Sequence, residues 1–195
     1  MDKDIQFNLL LNTSITNIDD VCMMNKQAYQ LCHDPYFWIK KFEYDQLPIL
    51  FHIGKNEPLS YWIVQYQEIE HVVKKTNTIL YLFARDKHHE LSAFLHYYHK
   101  DILLSMLYLS DDDYFFIQNS MPDDEDHADR IVTMIINLHN NQYVLKYEMV
   151  NINNGSDQSI DIIIDDDIFY TLVLLLLYHD PDIQMMDYHR ILYLL

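Results

Sequence analysis

The chain has 195 residues, half of them hydrophobic, and a formal net charge of −17 from 30 acidic against 13 basic side chains. That apolar fraction supports a sizeable core and excludes global disorder, while the charge would repel nucleic acid and anionic membrane. Gly54 and Gly155 are the only two glycines, so neither a dinucleotide fingerprint nor a phosphate-cradling loop can be written.

Residues 1–50 read as a small helical module and residues 51–195 as an α-rich domain. Ile18, Val21 and Cys22 sit at i, i+3 and i+4, and Ala28, Leu31 and Cys32 repeat that spacing ten residues later. Two short helices are expected, with the turn between them at Asn25-Lys26. Asp34-Pro35 supplies an N-cap and a proline at the first helical position, opening a third helix through Phe42. Trp38 and Phe42, four apart, share one of its faces. Both cysteines fall on apolar helical faces and are expected as buried free thiols of a reducing compartment, since a disulfide framework would want more cysteines. The opening MDKDIQFN has no apolar region followed by small residues, so no signal peptide is expected and the location is cytoplasmic.

Gly54, Asn56 and Pro58 mark a linker. After Ser60 a long helix is expected, with Trp62, Tyr66, Ile69, Val73, Leu80 and Phe83 as its stripe. Leu91, Phe94, Leu95, Tyr98, Ile102, Met106 and Leu109 then give the face of another helix. Ser110 and the acidic run 111–113 open a short aromatic helix. Residues 123–126 open the next, whose buried face is Ile131, Met134, Ile135 and Leu138. The period then changes to two. Leu145, Tyr147 and Met149 alternate with neighbours, as do Ile160, Ile162 and Ile164, and Asn154-Gly155 between them signals a hairpin. Two helices close the chain, Asp166 to Tyr178 and Pro181 to about Tyr193. The fold class is mostly α with one small antiparallel β-hairpin, an α+β arrangement. The run from Ile168 to Tyr178 is shorter than the roughly 20 residues of a spanning helix, so it reads as a buried core helix.

The order Val21-Cys22-x-x-Asn25-Lys26, then Leu31, Asp34, Trp38 and Phe42, resembles the F-box pattern. The wording PYFWIKKFEYDQLPI is especially similar to the short F-box-like proteins of large DNA viruses. The resemblance spans about a quarter of the chain, from Ile5 to Pro48. It implies a three-helix, non-enzymatic adaptor module that docks to the adaptor subunit of a cullin-type ubiquitin ligase, in the host cytoplasm if the protein is viral. The acidic remainder would then hold an unknown target protein. In place of the family's usual leucine-proline start, this chain has Asp4-Ile5-Gln6-Phe7 followed by Leu9-Leu10-Leu11. The residues expected to contact the partner are Ile5, Leu9, Leu10, Ile18, Val21 and Met24, with Trp38 and Phe42 supporting the fold. A virion-associated or structural viral protein is the alternative, and a metal-dependent enzyme a further one.

Chemistry-bearing patterns are sparse. His88, His89, Glu90, His96 and His99 cluster, and His96 with His99 has chelating spacing, yet no H-E-x-x-H motif occurs. The acidic clusters fit helix N-termini, and the calcium-loop spacing fails around Gly155. No serine lies in a G-x-S-x-G turn. No cofactor, metal or catalytic residue is expected.

Overall fold

The computed structural model describes residues 3–54, 57–85, 90–94, 99–121, 130–139 and 142–179. Eight helices and four strands lie among them: α1 (Lys3–Leu11), α2 (Ile15–Met23), α3 (Lys26–Cys32), α4 (Pro35–Tyr44), α5 (Leu59–Arg85), β1 (Glu90–Phe94), α6 (Lys100–Met106), α7 (Asp111–Ser120), β2 (Arg130–His139), β3 (Gln142–Asn151), β4 (Asp157–Ile164) and α8 (Asp166–His179). The chain is therefore mostly helical with a small antiparallel sheet. Its packing divides into two compact units, residues 1–74 and 75–195, so the division falls inside α5 and not at the linker near residue 50.

Local chemistry fixes the helices of the first unit. The Asn25 side chain accepts from the backbone N–H groups of Gln27 (3.0 Å) and Ala28 (2.9 Å), starting α3 where α2 has ended. Asp34 accepts from the Tyr36 N–H at 3.0 Å, and Pro35 occupies the first position of α4. At the other end of α4, Gln46 adopts φ 57°, and the Leu47 N–H reaches back to the Phe42 carbonyl at 2.9 Å. This is the left-handed helix stop usually made by glycine, here carried by a glutamine. Ile18, Cys22, Ala28, Cys32, Trp38 and Phe42 are buried, as the spacing predicts, and Phe37, outside the predicted stripe, is buried with them.

The module has four short helices where three are expected, because Leu9-Leu10-Leu11 belongs to α1. The amino-terminal half of α5 completes its core. Trp62 stacks on Trp38 with ring centroids 6.0 Å apart, and Tyr66 lies 5.2 Å from Phe42. The buried stripe of α5 runs through Trp62, Tyr66, Ile69, Val72, Thr76, Ile79 and Phe83, so Val72 and Ile79 take the places predicted for Val73 and Leu80.

Cys22 and Cys32 are joined by a disulfide, which corrects the expectation of free thiols. They lie on the facing sides of α2 and α3, and their Cα atoms are 5.9 Å apart, within bridging range. Composition cannot reveal such a juxtaposition, which is created by the turn at Asn25.

In the second unit the sheet order is β1-β2-β3-β4, every neighbouring pair antiparallel. Two sequence expectations are corrected here. Residues 130–139, expected as a helix, form β2, and residues 90–94, expected at the start of another helix, form β1. The apolar positions of RIVTMIINLH fit both periods. Its β-branched density favours the strand, and the buried residues are the alternating Val132, Met134 and Ile136, while Ile131 is 43% exposed. The predicted hairpin is β3–β4, pairing Leu145 with Ile162 and Tyr147 with Ile160. Gly155 supplies the positive φ (64°) in its turn.

Helices cover one face of this sheet. Phe83, Tyr143 and Phe169 form an aromatic cluster, with Tyr143 and Phe169 centroids 4.3 Å apart. Phe116 of α7 meets Tyr147 edge-on at 5.8 Å. The side chains of Ile131, Val150, Asp157, Ser159, Asp161 and Ile163 point to the other face and are exposed. The helix expected from Pro181 to Tyr193, Pro122, and the acidic run 123–126 lie outside the described residues.

Candidate protein-interaction surface

The amino-terminal helices divide their apolar side chains between inside and outside. On α1, Gln6 and Leu10 are four apart and buried, while Ile5 and Leu9, also four apart, face outward at 59% and 48% exposure. The α2–α3 turn carries Met23 and Met24, exposed at 60% and 71%. Gln6 donates through Nε2 to Asn25 Oδ1 at 3.0 Å, so the Ile5 segment and the Met24 turn are neighbours. The disulfide fixes the two helices that flank that turn.

Of the six residues expected to contact a partner, Ile5, Leu9 and Met24 are exposed and Val21 is half-buried. Leu10 and Ile18 are corrected: both have no exposed surface and are core residues. Periodicity identifies an apolar face but cannot say whether the chain's own helices or a partner cover it. Met23, Tyr29 and Tyr36 are exposed large side chains that the sequence reading passes over. Met23 and Met24 do carry a signal, since they stand outside the Ile18-Val21-Cys22 stripe.

A buried polar network holds this unit in shape. Lys41, 3% exposed, donates to the Leu11 carbonyl at 2.7 Å and pairs with Asp45 at 2.7 Å. Tyr66 donates to the same Asp45 oxygen at 2.6 Å. Burial, then the bond to Asp45, pushes the Tyr66 phenol far above its usual range, so it stays a neutral donor.

No protein-family model matches the chain, and no curated protein or solved structure matches it either. The functional reading therefore rests on side-chain chemistry.

Among the described residues, no group of three or more His, Cys, Asp or Glu side chains is placed to hold a metal ion. His99 is buried immediately before α6, while His88, His89 and His96 lie outside the described residues. The acidic runs 111–113 and 165–167 open α7 and α8, where Ser110 and Asp165 accept from backbone N–H groups. Hollows lie among the described residues of the second unit. One, of about 510 Å³, lies between α7 and the sheet, bordered by Phe115, Asn119, Arg130 and Met149. Another, of about 700 Å³, lies at the end of β4, bordered by Tyr108, Tyr143, Ile163 and the acidic start of α8. No helix among the described residues is long and apolar enough to cross a membrane.

Proposed function

We propose that the chain is a non-enzymatic protein-interaction protein, an F-box-like adaptor of viral type. Its amino-terminal helices engage the adaptor subunit of a cullin-type ubiquitin ligase, and its acidic second unit holds a target protein. The observation that carries this reading is the outward set Ile5, Leu9, Met23 and Met24, each about half exposed or more on α1 and at the α2–α3 junction. Flexible methionines beside aliphatic side chains suit a surface that packs against a partner helix. Such sites concentrate their binding energy in a few apolar anchors.

The test is recovery of the ligase adaptor with the full chain from host-cell extract, repeated with the Ile5→Asp/Leu9→Asp and Met24→Asp variants. These side chains are exposed, so the variants keep the fold. Each should weaken recovery by about tenfold or more, as loss of an anchor does. Absence of adaptor from the wild-type pulldown would remove the ligase role. Finding the protein as a stoichiometric component of purified virus particles would replace it with a structural one.

A further inference from the structure

Among the described residues, the sheet of the second unit ends in a strand with no strand on its far side. In the order β1-β2-β3-β4, β4 pairs only with β3, and among the described residues no strand lies beyond it. Its pairing with β3 runs unbroken from Asp157 to Ile164, with no proline and no bulge to turn the edge away. Edge strands left straight in this way are templates for another strand. The protection that β4 does carry is charge of one sign. Asp157, Ser159, Asp161 and Ile163 alternate outward, all exposed, while Ile162 and Ile164 are buried behind them. A second copy pairing along this edge would bring four aspartates together, which like-charge repulsion disfavours. A strand bearing cations on the same face would instead meet a carboxylate at Asp157 and another at Asp161, with Ser159 between them.

The edge also leads somewhere. At its carboxyl end lies the 700 Å³ hollow, where the Tyr108 ring is 90% exposed and Ile163 is 68% exposed beside Asp166 and Asp167. An aromatic face next to carboxylates is a seat for a lysine or arginine side chain.

We infer that β4 is the site where the second unit takes its target, by adding an extended segment of the partner with lysine or arginine at alternate positions as a fifth strand. Backbone hydrogen bonds to the open edge give affinity, the Asp157 and Asp161 carboxylates select the basic register, and the Tyr108 hollow receives the cation that follows Ile163. This deepens the target-holding half of the proposed function and does not depend on the amino-terminal helices.

The experiment uses the full chain and three fluorescent octapeptides of alternating lysine and valine: one unmodified, one N-methylated at the lysine amides, one N-methylated at the valine amides. All three carry the same charge. In an extended strand the two sets of amides point to opposite sides, and only one set can face β4. The unmodified peptide should bind, one methylated form should lose binding, and the other should keep it. Equal binding of all three would mean attraction by bulk charge alone and would overturn the inference, as would no binding of the unmodified peptide. The Asp157→Asn/Asp161→Asn variant, altered only at exposed positions, should bind about fivefold more weakly while melting no lower than wild type. Unchanged affinity in that variant counts against the edge. The Ile5→Asp/Leu9→Asp variant should bind the peptide like wild type, so failure of the ligase reading and failure of this one are read separately.

Discussion

Two buried polar side chains show what single residues contribute. Lys41 joins the carbonyl end of α1 to the carboxylate that closes α4, and Tyr66 of α5 donates to that same carboxylate. Replacing Lys41 by methionine keeps the stem but strands Asp45 and the Leu11 carbonyl. Complete burial of a widowed charge costs about 3–5 kcal/mol; the Asp45 side chain is 25% exposed, so water recovers part of that. A loss of about 2 kcal/mol is expected in denaturant unfolding, and a loss below about 0.5 kcal/mol would show that the network is incidental. Tyr147 makes a pH-dependent contribution. Burial pushes its phenol up to about 12, the hydrogen bond with Ser120 opposing the shift. Because the folded value lies above the unfolded one near 10, the folded state binds more protons at high pH. The stabilisation is complete below pH 10 and is lost as pH rises from there towards 12, amounting to about 2 kcal/mol. Tyr147→Phe should flatten that part of the stability–pH curve. An unchanged slope would exclude Tyr147 as its source.

At the scale of elements, the caps and the turn are legible because their signals are local. Asn25, Asp34-Pro35 and Asn154-Gly155 each carry the group their bend requires, and each acts there. The strand β2 is not legible. Ile131, Met134, Ile135 and Leu138 match a helical stripe as well as any helix does, and the choice depends on β1 and β3 lying on either side. Tertiary pairing overrides a local period. The candidate site is half legible for a related reason: Leu10 and Leu9 are adjacent and chemically alike, and only the packed helices decide which one faces out. The disulfide between α2 and α3 lies wholly outside local signals and makes its own prediction. It closes a loop of 10 residues, so reduction should lower stability by about 2–3 kcal/mol through the freedom regained by the unfolded chain. The surrounding apolar core of Ile18, Ala28 and Trp38 remains, so the helical signal should persist after reduction at 25 °C. Melting with and without reductant checks both statements, and identical midpoints would mean that no bridge forms.

At the scale of the molecule, charge is distributed unevenly. Residues 75–195 hold 20 of the 30 acidic and 7 of the 13 basic side chains, so self-repulsion belongs mostly to the second unit. A partner with alternating cations relieves that repulsion, and so does salt. Raising ionic strength from about 0.02 M to 0.2 M shortens the screening distance from roughly 20 Å to roughly 7 Å. Repulsion between exposed aspartates is then largely removed, whereas the buried Lys41–Asp45 pair is little affected. The second unit should therefore melt higher in salt, by roughly 3 °C for a domain of this size. Both tryptophans, Trp38 and Trp62, lie in the first unit. Tryptophan fluorescence thus follows that unit alone, while far-ultraviolet circular dichroism follows both. Salt should raise the dichroism midpoint more than the fluorescence midpoint. A common shift would mean that the two units unfold together as one cooperative body. A fall in both would mean that exposed ion pairs, not the excess of carboxylates, dominate the surface.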